Sequence, residues 1–150
     1  MLTAFDKALL NILQTGLPIA AQPYKAMAQQ LGCDEEMVIE TLRRLKAQGY
    51  IRRMGAFFDS VQLGFVSTLA AVKVSPEALP AVAQTINAYS GVTHNYEREG
   101  EYNLWFAITL PDESSLRQAL AQISALPGVE KLMNLPATRK FKVSVEFNLA

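Results

Sequence analysis

Three side chains able to handle protons and carboxylates recur at every second position of one short segment, as His94, Tyr96 and Arg98 within Val-Thr-His-Asn-Tyr-Glu-Arg. Imidazole and phenol can each give or take a proton, and the planar guanidinium fork grips a carboxylate through two parallel hydrogen bonds. A neutral imidazole is also a common iron ligand. The chain has one His and one Cys, which excludes any metal site or catalytic triad that needs two histidines from one polypeptide. A solitary His in a strand is in most proteins an ordinary surface or core residue, so its company gives it interest.

That company depends on the segment being a strand. Val92 to Arg98 and Glu101 to Leu110 are β-rich runs joined at Glu99-Gly100, a hairpin signal. Strict alternation would put Val92, His94, Tyr96 and Arg98 on one sheet face and Thr93, Asn95 and Glu97 on the other. Around this hairpin, Val66 to Val74 reads as a buried strand. Pro76 opens a helix to about Tyr89, Pro111-Asp112-Glu113 opens another to about Ala125, and Val129 to Leu135 with Thr138 to Leu149 supplies the last strands. The order is β-α-β-β-α-β with an extra C-terminal strand, the ferredoxin-like arrangement.

The first part of the chain has helical period. Phe5, Leu9, Ile12 and Leu13 form one apolar stripe behind Thr3, which predicts a helix over about 4–14. A second helix spans Tyr24 to Leu31 and stops at Gly32. A third begins at Asp34 as N-cap, with an acidic first turn (Asp34, Glu35, Glu36) and a basic last turn (Arg43, Arg44, Lys46), as the helix dipole favours. Ile-Arg-Arg-Met-Gly-Ala-Phe-Phe-Asp then reads as the hairpin wing of a winged helix-turn-helix. The expected class is therefore α+β, with a winged helix-turn-helix over 1–62 and a ferredoxin-like domain over 63–150 that carries the site.

Composition narrows the function. The 150 residues are 50% hydrophobic and 19% charged, too apolar for disorder, and no apolar run is long enough to span a membrane. A lone Cys and an N-terminal stretch interrupted by Asp6 and Lys7 point to the cytoplasm rather than to secretion. Net charge is zero, and the first 59 residues hold seven Lys and Arg against six acids, so nucleic acid is an unfavoured partner.

A winged helix-turn-helix followed by βαββαβ resembles the Lrp/AsnC transcription regulators. Within that architecture, His94-Asn95-Tyr96-x-Arg98 followed by Tyr102-Asn103-Leu104-Trp105-Phe106, with the flanking Ile51 to Val74 and Leu135 to Phe147 stretches, is similar to the alpha-type subunits of the siroheme decarboxylases. The resemblance implies a carboxy-lyase of heme biosynthesis that removes carbon dioxide from two acetate side chains of siroheme, giving didecarboxysiroheme. It also implies a heterodimer with a related beta subunit. The alternative is a Lrp/AsnC-type DNA-binding regulator that senses a heme, and a third reading is a scaffold subunit whose partner holds the active residues.

On the decarboxylase reading the tetrapyrrole serves as its own electron sink, so no cofactor beyond the substrate is called for. His94 and Tyr96 are the candidate acids, with His94 competing as an axial ligand to the siroheme iron, and heme binding is a further expectation. Arg98 is the candidate carboxylate clamp. Tyr102, Arg139, Lys140, Lys142, Arg52 and Arg53 are further substrate-binding candidates. The plainer alternatives are sheet packing for Tyr96 and Tyr102, a hairpin ion pair for Arg98, and a solvated strand end for Arg139, Lys140 and Lys142.

Overall fold

The computed structural model describes residues 1–55, 58–142 and 146–149, and the chain forms two compact units, Met1–Ala56 with Lys142–Ala150, and Phe57–Phe141. This partition differs from a boundary at residue 62 in two respects: the division falls after Ala56, and the C-terminal segment goes with the helices. The Gln14 carboxamide pairs with the Phe147 backbone in both directions, accepting its N–H at 2.8 Å and donating to its carbonyl at 2.9 Å.

In the helical unit, α1 (Ala4–Thr15) starts at a capping box. Thr3 Oγ1 accepts the Asp6 N–H at 3.1 Å and Asp6 Oδ2 accepts the Thr3 N–H at 2.8 Å, which satisfies two otherwise orphaned donors. Helix α2 (Pro23–Leu31) opens on proline and ends at Gly32 with φ of 66°, a left-handed position glycine adopts without strain. Helix α3 (Glu35–Ala47) turns Val38, Leu42 and Leu45 onto Leu9 of α1 and Met27 of α2. Asp34 stands at the N-cap with extended backbone, but its side chain makes no capping hydrogen bond. The expected wing hairpin does not appear as strand in residues 51–55 or 58–59; Ala56 and Phe57 lie outside the described residues.

The second unit is a four-stranded antiparallel sheet with two helices on one face. Its elements are β1 (Val66–Val74), α4 (Leu79–Asn87), β2 (Val92–Glu97), β3 (Leu104–Leu110), α5 (Glu113–Ser124) and β4 (Val129–Leu135), in the sheet order β2-β3-β1-β4. The extra strand expected over Thr138 to Leu149 is absent from residues 138–142 and 146–149, and Val143, Ser144 and Val145 lie outside the described residues.

Alternate residues of the central strands, Ala70, Val72 and Val74 with Leu104, Phe106 and Ile108, meet Val82 and Ile86 of α4 and Leu116, Leu120 and Ile123 of α5. Burying a side chain the size of Phe106 stabilises the fold by roughly 1.5–3 kcal/mol. Helix α5 is capped by Asp112, whose carboxylate accepts the Ser115 N–H at 2.7 Å. Helix α4 starts three residues later than Pro76 suggests, because Ser75 to Ala78 form a turn in which both Ala78 and Leu79 N–H donate to the Ser75 carbonyl. At Gly91 a side chain is excluded outright, since a Cβ there would sit 2.1 Å from the Thr109 carbonyl oxygen.

Because both helices cover the same face, the opposite face of the sheet is open. Its rows follow from the strand register. One row is Leu135, Leu69, Ala107 and His94, and the next is Met133, Ala71, Trp105 and Tyr96.

Candidate active site

The sheet delivers His94 and Tyr96 together, on its open face, by a route that simple alternation does not supply. Val92 pairs with Ile108 and His94 with Ala107, so Thr93 is the extra residue of a β-bulge. Val92 consequently packs into the helix-side core. The expectation that Val92 shares a face with His94 is therefore corrected, while His94 and Tyr96 do share one.

Their ring centroids are 6.0 Å apart with planes inclined by 31°. His94 is exposed and its Nδ1 lies 3.0 Å from Thr93 Oγ1, a contact that orients the ring with either tautomer, because the hydroxyl can donate or accept. Tyr96 is 51% exposed. Between them Asn95 points the other way and ties β2 to α4, its amide donating to the Ala83 carbonyl at 3.2 Å and to Asn87 Oδ1 at 2.9 Å. A half-buried amide anchored to a helix keeps its two neighbours aimed outward.

The hairpin connection is longer than Glu99-Gly100 alone: β2 ends at Glu97 and β3 starts at Leu104. Arg98 lies just past β2, with its guanidinium carbon 5.7 Å from the centre of the Trp105 ring, a cation–π arrangement that leaves the fork available to an anion. It is not paired with Glu99 or Glu101 by any ion pair among those seen in the described residues. Tyr102 is half-buried, and its carbonyl accepts the Trp105 indole N–H at 2.7 Å. Tyr96 stands opposite Trp105 in the ladder, so His94, Tyr96, Trp105 and Arg98 form one continuous group.

The remaining predicted cations stand on other segments of the chain. Arg139 and Lys140 lie in irregular chain beyond the end of β4, the edge strand opposite β2. Arg139 instead lies over the Phe141 ring at 4.9 Å. Lys142, Arg52 and Arg53 are exposed and belong to the helical unit.

Two cations on the open face escape a reading of the sequence. Lys73 and Lys131 stand directly opposite each other across β1 and β4, and the repulsion is relieved by Glu130 at 2.7 Å from Lys73 and Glu101 at 2.9 Å from Lys131. The hydrogen bond from Lys131 holds the Glu101 carboxyl below its ordinary range, and Glu101 in turn holds the Lys131 ammonium charged to higher pH. The sequence signal was available in principle, since Lys73 continues the alternate series Leu69, Ala71, but the pairing partner is fixed only by register.

The face is an open sheet surface whose apolar part includes Leu69 at 42% and Leu135 at 37% exposure. A flat ligand could lie on it with protonating groups and a guanidinium at the β2 edge. Among the described residues, no group of three or more His, Cys, Asp or Glu could hold a metal ion, and no helix is long and apolar enough to cross a membrane.

Comparison with known proteins identifies the scaffold. Residues 62–142 match the AsnC-like ligand binding domain family, and residues 6–52 match the siroheme decarboxylase NirDL-like HTH domain. A siroheme decarboxylase alpha subunit of Desulfovibrio desulfuricans is 45% identical over 97% of this chain and 84% of its own length. A siroheme decarboxylase NirD subunit of Pseudomonas aeruginosa is 44% identical over 96% of this chain and 95% of its own. The crystal structure of the siroheme decarboxylase NirDL in co-complex with an iron-uroporphyrin III analogue superposes with a TM-score of 0.72 at 33% identity, covering 97% of this chain and 48% of that one. By sequence along nearly its whole length and by fold, the chain belongs to the siroheme decarboxylase family, built on the AsnC-like architecture.

Proposed function

We propose that this chain is the alpha-type subunit of a siroheme decarboxylase acting in an alternative route to heme. The observation that carries the reading is the pairing of His94 and Tyr96, 6.0 Å apart on an open sheet face beside Arg98, in a chain 45% identical to a named alpha subunit.

The reaction asks little of a protein beyond placement and a proton. In each acetate side chain the bond between the methylene carbon and the carboxylate breaks and carbon dioxide leaves. The electron pair stays on the methylene carbon, delocalised toward the tetrapyrrole, and one proton converts it to a methyl group. Two such events consume two protons and give didecarboxysiroheme, with no oxidant or reductant and no cofactor beyond the substrate in the scheme.

His94 and Tyr96 are the proposed proton donors. His94 has the competing role of axial ligand to the iron of the substrate, and its Thr93 contact bears on both roles by orienting the ring. Arg98 holds a carboxylate that must not react, its cation presented by the Trp105 ring. Tyr102 serves the same end of the face. Arg139, Lys140, Lys142, Arg52 and Arg53 are proposed as secondary carboxylate contacts. A bound heme would use the same face.

An open face needs a cover if the reacting carboxylate is to lose its hydration, and a related beta subunit is the proposed one. The half-length match to the NirDL chain supports this, because that chain has room for two units of this size. The proposed compartment is the cytoplasm, where a lone thiol such as Cys33 stays reduced.

The test is to mix the purified pair of subunits with siroheme under anaerobic conditions and follow the pigment by mass. Loss of two carbon dioxide units is expected. An unchanged mass with both folded subunits present overturns the proposal.

A further inference from the structure

Asn103 occupies an unusual place between the sheet and the Arg98 turn. The β1·β3 ladder ends where Val72 faces Leu104, yet the Asn103 side chain extends it by imitating a peptide group. Its Oδ1 accepts the Val74 N–H at 2.9 Å and its Nδ2 donates to the Val74 carbonyl at 2.8 Å. Its own backbone carbonyl accepts the Arg98 N–H at 2.9 Å. One residue thus joins a central strand, through two hydrogen bonds, to the main chain of the proposed carboxylate clamp.

Apart from the ion pair of Glu101 with Lys131 of β4 at 2.9 Å, the turn has little else to fix it. Arg98, Glu99, Gly100 and Glu101 are all exposed, Gly100 has φ of 131°, and none of the four contributes to the core. The hydrogen bonds of Asn103 and the indole N–H from Trp105 to the Tyr102 carbonyl close it. Trp105 is itself the surface over which the Arg98 guanidinium lies. Asn103 therefore fixes the main chain on one side of that stack, and Trp105 fixes its floor.

We infer that Asn103 is a positioning residue for substrate binding, which acts through Arg98 by locking the 98–103 turn so that the guanidinium stands over Trp105. The inference rests on the reading of Arg98 as a carboxylate clamp. A merely structural role, satisfying the end of β1, would lower stability without moving affinity for a polycarboxylate in an Arg98-dependent way.

The experiment is a double-mutant cycle of Asn103→Ala and Arg98→Ala in the two-subunit enzyme, reading KM and kcat for siroheme. It is paired with tryptophan emission of the isolated chain, in which Trp105 is the sole Trp. Asn103→Ala is expected to raise KM by about tenfold, the worth of one hydrogen bond to a charged group, with kcat nearly unchanged. It should also shift the Trp105 emission, and the double variant should be no worse in KM than Arg98→Ala alone, because the two act as one unit.

If Arg98→Ala leaves KM unchanged, the clamp reading itself fails. If Arg98→Ala raises KM while Asn103→Ala does not, or if the two effects multiply, the clamp stands and the positioning role of Asn103 is overturned. Should Asn103→Ala fail to fold, Asn103→Ser serves in its place: it stays neutral, and its short hydroxyl cannot make both of the Val74 hydrogen bonds at once.

Discussion

Val92 and His94 are two residues apart in the chain yet one position apart in the sheet, Val92 opposite Ile108 and His94 opposite Ala107. In a regular strand they would share a face, and Val92 in the core would carry His94 and Tyr96 in with it. The bulge at Thr93 lets an apolar anchor and two polar rings coexist in a strand of six residues.

Thr93 makes two separable contributions, as the extra residue and as a hydroxyl. Thr93→Val keeps the branched shape and removes only the Oγ1 contact to His94 Nδ1. It is expected to lower turnover about fivefold, the worth of one neutral hydrogen bond, with the melting curve unchanged. Deleting Thr93 leaves Val92 and His94 in consecutive ladder positions with their faces preserved, so the thermal midpoint should stay within about 5 °C. Deleting Asn95 instead forces Tyr96 toward α4 and should lower the midpoint by more than that. Equal effects of the two deletions in calorimetry would show that the bulge does not set the facing.

The helices and the four core strands were legible because their signals are local: apolar spacing in α1, proline at the start of α2, and the unbroken run of β1. The site was legible only in part. His94, Tyr96 and Arg98 stand out by type and spacing, but the bulge that reverses Val92 depends on which β3 residue each faces, and nothing in β2 alone encodes that. Lys73 and Lys131 became neighbours through the β1·β4 register, some sixty residues apart, and Asn103 looks like an ordinary turn residue until Val74 is placed beside it. The wing and the last strand were read from β-propensity, and in their described residues tertiary context overrides it.

Imidazole and phenol on one face make distinct predictions. His94→Ala is expected to lower turnover on the order of a hundredfold, the usual yield of a positioned acid, and Tyr96→Phe about tenfold. Absorption of the bound pigment separates the roles of the imidazole: a displaced Soret band in His94→Ala with siroheme still bound assigns it to iron, whereas an unmoved band with lost turnover assigns it to proton delivery. Wild-type turnover and spectrum in His94→Ala would remove His94 from the site.

The helical unit should lose stability in acid for an identifiable reason. The Asp6 carboxyl is 1% exposed and bonded to the Arg44 guanidinium, which, with the Thr3 N–H and hydroxyl, holds it below its ordinary value of 3.8 against the opposing effect of burial. A lowered folded-state value means that the contribution is fully present above about pH 4, and it is lost as pH falls through the folded value, where the folded carboxylate takes up its proton. Arg44→Met should cost about 1–3 kcal/mol at neutral pH by leaving the buried carboxylate short of a partner, and should flatten the acid limb of stability against pH. Urea melts of both proteins between neutral pH and pH 3 make the comparison, and an acid limb unchanged in Arg44→Met would assign it to other carboxylates.

The same Arg44 bears on whether the helix-turn-helix still reads DNA. A recognition helix places its N-terminal turn against base edges, and in α3 that turn is Asp34, Glu35 and Glu36, with Asp34 not even engaged in capping. The cations lie at the other end, and of Arg43, Arg44 and Lys46 the middle one is held by Asp6. Affinity for duplex DNA grows with the number of phosphates neutralised, so a helix that leads with acid and has part of its basic end engaged internally gains little from counterion release. The chain should show no retention of random or native-promoter duplex in gel shifts at low salt. Replacing Asp34, Glu35 and Glu36 together by Gln should introduce weak, sequence-independent binding that disappears as salt is raised. Sequence-dependent binding by the unaltered chain, with a steep salt dependence, would instead show that the acidic turn is accommodated in a groove and that the domain keeps a regulator's function.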